Sequence, residues 1–62
     1  MNRPNPPSTP RDVALSRYAD AMGRAAHAQA RAHEAKTTAA WAAYHAAMKD
    51  LEAARAVVEA TP

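Results

Sequence analysis

The chain has 62 residues and a formal net charge of +2, and alanine alone accounts for 19 of its hydrophobic residues. A sequence this short forms one folding unit at most, and eleven larger apolar side chains supply little material for a self-sufficient core. The lack of cysteine excludes a disulfide framework and thiolate chemistry, and no apolar run approaches the roughly 20 residues that a membrane span needs.

Residues 1–9 are predicted to form an extended, proline-rich arm. Three of the five prolines lie in this segment, and a fourth follows directly as Pro10. Proline favours the polyproline II conformation over helix, so we expect the arm to stay outside any core. The segment lacks the apolar stretch of a secretory signal peptide, and we therefore expect a cytoplasmic protein, or one within a particle assembled in the cytoplasm.

A helix start follows the arm. The Thr9 hydroxyl can cap the first turn, Pro10 is tolerated at the first helical position, and the carboxylate of Asp12 favours the positive end of the helix dipole. Residues 61–62 are threonine and proline, which cannot continue a helix and mark the C-terminal end. These signals bound a predicted helical segment over residues 10–60.

One long, alanine-rich amphipathic helix is the first prediction for this all-α segment. Alanine has the highest helix propensity, and Gly23 is the only glycine. At 100° per residue, nine residues fall on one stripe whose spacing is close to an 11-residue repeat, as in a nearly straight coiled coil. They are Leu15, Met22, Ala26, His33, Thr37, Ala40, Tyr44, Leu51 and Val58. A continuous helix of this length would extend over about 75 Å.

An antiparallel helical hairpin, broken near Lys36-Thr38, is the alternative. It would set large residues such as Trp41 against small ones such as Ala32. Against it, residues 24–49 contain no glycine, proline, asparagine or aspartate to form the turn. A residue such as Lys36 would then have to adopt a positive φ, at a cost of about 1–2 kcal/mol. The sequence alone therefore favours the continuous helix.

The residues that could carry chemistry do not form a catalytic or metal-binding pattern. His27, His33 and His45 are separated by 6 and 12 residues, whereas two metal ligands share a helix face at i, i+3 or i, i+4. No hydroxyl has a base and an orienting acid at a suitable spacing, and no glycine-rich loop is present to bind phosphate. We therefore expect no enzyme activity, no metal, no cofactor and no small-molecule ligand.

A basic stripe is the remaining charged feature. Arg17, Arg24 and Arg31 recur every seven residues and would lie on one side of a helix. Such a stripe could contact the phosphates of a nucleic acid. Asp20 lies among the arginines, however, and no aromatic residue is interleaved for base stacking, so a solvated face is the favoured interpretation.

Eight larger apolar residues are predicted to bind partner chains, because the chain has little else with which to cover them. Trp41, Tyr44 and Met48 form the densest cluster and belong to residue types enriched at protein interfaces. The complete set is Leu15, Tyr18, Met22, Trp41, Tyr44, Met48, Leu51 and Val58. The expected partners are different protein chains or further copies of this one.

The leading functional hypothesis is a non-enzymatic structural or accessory protein of a larger assembly such as a virion, with the helix and the arm docked on neighbouring chains. The alternative, from a different class, is a small regulator that binds nucleic acid or inhibits a nucleic-acid enzyme. The salt dependence of partner binding distinguishes the two hypotheses, because affinity for nucleic acid through an arginine stripe should fall steeply as ionic strength rises. Neither hypothesis involves a membrane.

Overall fold

The computed structural model describes residues 9–62, and this part of the chain consists of two α-helices. Helix α1 spans Pro10–Ala35 and helix α2 spans Thr38–Ala60. Helix accounts for 91% of the described residues, among which there is no strand. The prediction of an all-α protein is therefore confirmed. The predicted arm over residues 1–9 lies outside the described residues, except for its last residue.

The start of α1 follows the sequence pattern. The Asp12 backbone N–H donates to the Thr9 hydroxyl oxygen at 3.1 Å, and the Thr9 backbone N–H donates to the Asp12 carboxylate at 3.3 Å. The two bonds form a reciprocal capping box with aspartate in the place of the usual glutamate. They satisfy two backbone donors that the first helical turn leaves without partners.

The chain reverses direction at Lys36 and Thr37, so the prediction of one continuous helix through residues 36–38 is wrong. Lys36 adopts the left-handed conformation, with φ 54° and ψ 35°, and its N–H donates to the carbonyl of Ala32. Thr37 is the N-cap of α2, and its hydroxyl accepts a hydrogen bond from the N–H of Ala40 at 3.1 Å. Lysine therefore fills a position where glycine or asparagine is usual.

The two helices pack side by side in antiparallel directions. The Arg11 guanidinium donates to the carbonyl of Thr61 at 2.9 Å across 50 residues of sequence. The ring centroids of His33 and Trp41 lie 5.3 Å apart beside the turn. The Arg11–Thr61 contact lies at the open end of the hairpin, and the His33–Trp41 contact lies at its turn end. Together they fix the register of the two helices.

The contact between the helices, called the seam below, is built from five alanines and one tyrosine on α1, and from three alanines that alternate with larger residues on α2. On α1 the spacing between successive buried or half-buried residues alternates between four and three. These residues are Ala14, Tyr18, Ala21, Ala25, Ala28 and Ala32. On α2 the half-buried residues with the same spacing are Ala40, Tyr44, Ala47, Leu51, Ala54 and Val58. Within residues 9–62, the four buried residues are all alanines of α1. This 3-4 spacing keeps the contacting residues on one side of each helix.

The burial of apolar surface explains why the hairpin forms despite its turn. A left-handed lysine costs about 1–2 kcal/mol. Removing apolar surface from water stabilises by about 25 cal/mol per Å², so partial burial of Tyr44, Leu51 and Val58 against alanines exceeds that cost. A long single helix would leave all of these side chains in water.

Replacing Lys36 with glycine should raise the free energy of unfolding by about 0.5–1 kcal/mol, because glycine adopts positive φ without a steric penalty. Urea denaturation would measure the change. The matched control is Lys49→Gly, the same replacement in the interior of α2, which should lower the free energy by about 1 kcal/mol. Equal destabilisation by both variants would contradict the left-handed turn.

Candidate protein-interaction surface

The hairpin is a single layer of two helices, so it has two broad faces that neither helix covers. In an antiparallel pair, the residues that directly follow seam residues lie on one face, and the residues that directly precede them lie on the other. Two observations agree with this assignment. Arg17 and Val57, which both precede seam residues, line one depression between the helices. His33 and Trp41, which both follow seam residues, are in ring contact.

The first face, called the methionine face below, carries four of the six larger apolar residues that lie outside the seam in residues 9–62, and the other two, Val13 and Val57, lie on the opposite face. Leu15 and Met22 of α1 are 41% and 45% exposed. Trp41 and Met48 of α2 follow seam residues and are half-buried. Together these four residues form an apolar strip along the middle of the face.

Aromatic neighbours hold the indole of Trp41 at the turn end of the methionine face. Its ring lies edge-on to His33 at 5.3 Å between centroids and edge-on to Tyr44 at 6.0 Å. Tyr44 in turn packs on His45 at 5.7 Å. Edge-to-face pairs of this kind stabilise a fixed ring orientation by about 0.5–1.5 kcal/mol each. The partly exposed indole is therefore preorganised for contact with another surface.

The opposite face, called the arginine face below, carries Arg17, Arg24 and Arg31. All three are exposed, and their helical repeat of seven residues spaces them by about 10.5 Å. Within residues 9–62 the one ion pair joins Arg55 and Glu59 at 3.1 Å, so the three arginines have no carboxylate partner there. Asp20 also precedes a seam residue and lies on this side of α1.

The eight apolar residues predicted to bind partners divide into two groups of four. Leu15, Met22, Trp41 and Met48 lie together on the methionine face. Tyr18, Tyr44, Leu51 and Val58 lie in the seam, where they are half-buried against the other helix. The second group is therefore largely used to hold the hairpin together.

The predicted 11-residue stripe is wrong for α1. Its members Leu15, Met22, Ala26 and His33 are all exposed, whereas the seam consists mainly of alanines that the stripe omitted. The signal for the seam was the 4-3 spacing of Ala14, Tyr18, Ala21 and the alanines after them. On α2 the stripe is correct, since Ala40, Tyr44, Leu51 and Val58 all face α1.

The remaining polar groups do not converge on a site in the described part of the chain. His27 lines a shallow depression near the turn together with Arg31 and several alanines. Over residues 9–62, no three histidine or acidic side chains are close enough together to hold a metal ion. Neither of the two described helices combines the length and the apolar character needed to cross a membrane.

Comparison with known proteins finds no matching family model, no matching curated protein and no matching solved structure. The two faces of the hairpin are therefore the basis for the functional proposal.

Proposed function

We propose that the protein is a non-enzymatic accessory component of a larger assembly, and that it docks on protein partner chains through the methionine face. The observation that carries the proposal is the exposure of Leu15 and Met22 beside Trp41 and Met48, on a hairpin whose fully buried residues are all alanine. Large apolar side chains grouped on one exposed face are typical of a protein interaction site.

The small core supports the same proposal. The four buried alanines contribute little transfer free energy, because each buries only one methyl group beyond the backbone. Ordering each residue of the chain costs about 1.5 kcal/mol, and a two-helix layer has no second layer to offset that cost. A partner that covers the methionine face supplies the missing layer, so that docking and folding stabilise each other.

The composition of the methionine face also suits a protein partner. Tryptophan and methionine are enriched at protein interfaces, and Trp41 is held in a fixed orientation by its aromatic neighbours. Rigid aromatic side chains lose little conformational entropy on binding. We expect Trp41 to be the anchor of the interface and the methionines to adapt to the shape of the partner.

The arginine face supports a second candidate function, a regulator that binds nucleic acid. Arg17, Arg24 and Arg31 have no carboxylate partner within residues 9–62 and could each contact a phosphate. The three described aromatic residues other than histidine lie in the seam or on the methionine face, so none can stack on bases from the arginine side. We therefore rank this function second.

Photo-crosslinking tests the proposed docking surface. A benzoylphenylalanine in place of Met22 should form covalent adducts with another protein chain in the cells that naturally make the protein. The matched control places the same photoreactive residue at Ala30, which is exposed on the side of α1 away from α2. An absence of protein adducts at Met22, or an equal yield at Ala30, would contradict docking through the methionine face.

A further inference from the structure

We propose that the methionine face is covered by a second copy of this chain, with the two hairpins packed face to face and their turns at opposite ends. The result is an antiparallel four-helix bundle. This inference rests on the proposed docking function and names its partner. Four features of the face support it: its size, the position of the methionines, the distribution of histidines and carboxylates along it, and the contrast with the arginine face.

The face has the size that a stable dimer needs. Helices of 26 and 23 residues are about 35–39 Å long at 1.5 Å per residue. Two helices packed about 8–10 Å apart present a strip about 20 Å wide. The face therefore covers about 700 Å², close to the roughly 800 Å² that each partner buries in a standard protein interface.

The two methionines lie at the centre of the face. Met22 is near the midpoint of α1, and Met48 is near the midpoint of α2. A two-fold axis through the centre therefore brings the methionines of one copy onto those of the other. Four flexible thioether side chains can fill an irregular central gap that rigid side chains would leave.

Histidines lie towards the turn end of the face and carboxylates towards its open end, a distribution that is complementary to itself. His33 follows Met22 by 11 residues, and Asp12 precedes it by 10. His45 precedes Met48 by three residues, and Glu52 follows it by four. His33, His45 and Glu52 directly follow seam residues, and Asp12 follows Arg11, which contacts Thr61 across the open end of the hairpin. All four therefore lie on the methionine face.

Rotation about the central axis places each histidine opposite a carboxylate of the second copy. His33 then faces Asp12 of the other chain, and His45 faces Glu52. A histidine can donate a hydrogen bond to a carboxylate in its neutral and in its charged form. Packing with both turns at the same end would instead set Asp12 opposite Glu59 of the second copy, which also follows a seam residue, and like charges repel.

The arginine face is unsuited to self-association. Two copies packed through it with their turns at opposite ends would bring Arg17 against Arg31 and Arg24 against Arg24 of the second copy, and like charges repel. In the proposed dimer, the arginines lie on the two outer surfaces instead. For two copies packed with their turns at opposite ends, the charges therefore favour contact through the methionine face.

Sedimentation equilibrium of the purified full chain tests the inference. We expect a dimer whose dissociation constant rises by at least about 100-fold in Met22→Glu, because a charge is then buried at the axis in both copies. Arg24→Glu is the control, since Arg24 lies on the outer surface and its replacement should leave the dimer intact. Circular dichroism at high protein concentration checks that each variant remains helical.

Disulfide formation tests the arrangement of the two copies, because the chain has no native cysteine. Met22→Cys should crosslink to the same residue of the second copy under oxidation, and Ala30→Cys should not. If Met22→Cys instead crosslinks only to Met48→Cys in a mixture of the two variants, the turns lie at the same end and the proposed arrangement is wrong.

These experiments distinguish a failure of self-association from a failure of docking on protein partners. A chain that stays monomeric at millimolar concentration, or a dimer that Met22→Glu leaves unchanged, overturns self-association through this face. Photo-adducts from Met22 to a different protein would then still support docking. A lack of adducts of any kind would contradict the docking function itself.

Discussion

Ala21→Leu is expected to lower the free energy of unfolding by about 3 kcal/mol, at the upper end of the range for overpacked cores. Ala21 is 1% exposed and lies in the middle of the seam. The register set by Arg11 with Thr61 places it near Leu51 of α2. A second leucine at this level leaves no room for both side chains, so the helices must move apart. Separated helices lose the burial that offsets the strained turn.

The helix propensity of the substituted residue does not contribute to this effect. Leucine is nearly as favourable as alanine in a helix, so a loss of stability reports on packing between the helices. Ala30→Leu is the matched control, because Ala30 is exposed on the far side of α1 and should change stability by less than about 0.5 kcal/mol. Thermal unfolding followed by circular dichroism at one chain concentration compares the variants. Equal stability of the two leucine variants would contradict close packing at the alanine seam.

The helical content and the start of α1 could be predicted from sequence because local chemistry determines them. Alanine favours helix at almost every position, and Thr9 with Asp12 forms a cap without help from distant residues. The turn could not be predicted in this way. Lys36 carries no local preference for positive φ, and its conformation is stabilised by contacts between residues of α1 and α2 that lie far apart in the sequence.

The seam was hidden by the chemical similarity of its surroundings. A hydrophobic stripe is normally recognised by contrast with polar neighbours, but alanines occur on every side of both helices. The larger Leu15 and Met22 therefore suggested the wrong face of α1. Two helices can approach closely only where the side chains between them are small, so the larger side chains lie at the edge of the contact.

Part of the candidate site could be predicted, because large apolar residues stand out among the alanines. Trp41 and Met48 belong to a dense apolar cluster in the sequence, and the structure places both on an open face with Leu15 and Met22. Their separation from Tyr44 and Leu51 depends on the register of the hairpin. That register follows from tertiary packing and is not encoded in the spacing within either helix.

Trp41→Ala is expected to weaken assembly by about 2–4 kcal/mol, the effect of removing a hot-spot aromatic residue. Trp41 is half-buried in the hairpin, and its indole is held by His33 and Tyr44 at the turn end of the methionine face. The variant loses the contact area of the indole with the partner. It also frees the neighbouring rings to move, so that the partner must order them on binding.

Two measurements separate docking from folding in this variant. Sedimentation equilibrium gives the dissociation constant for self-association, and circular dichroism gives the helix content at the same concentrations. The control is Val57→Ala, which removes an apolar side chain that is 52% exposed on the arginine face. Its dissociation constant should change by less than about fivefold, equivalent to about 1 kcal/mol. If Trp41→Ala retains both the helix content and the dissociation constant of the unmodified chain, Trp41 is not an anchor and the interface lies elsewhere on the hairpin.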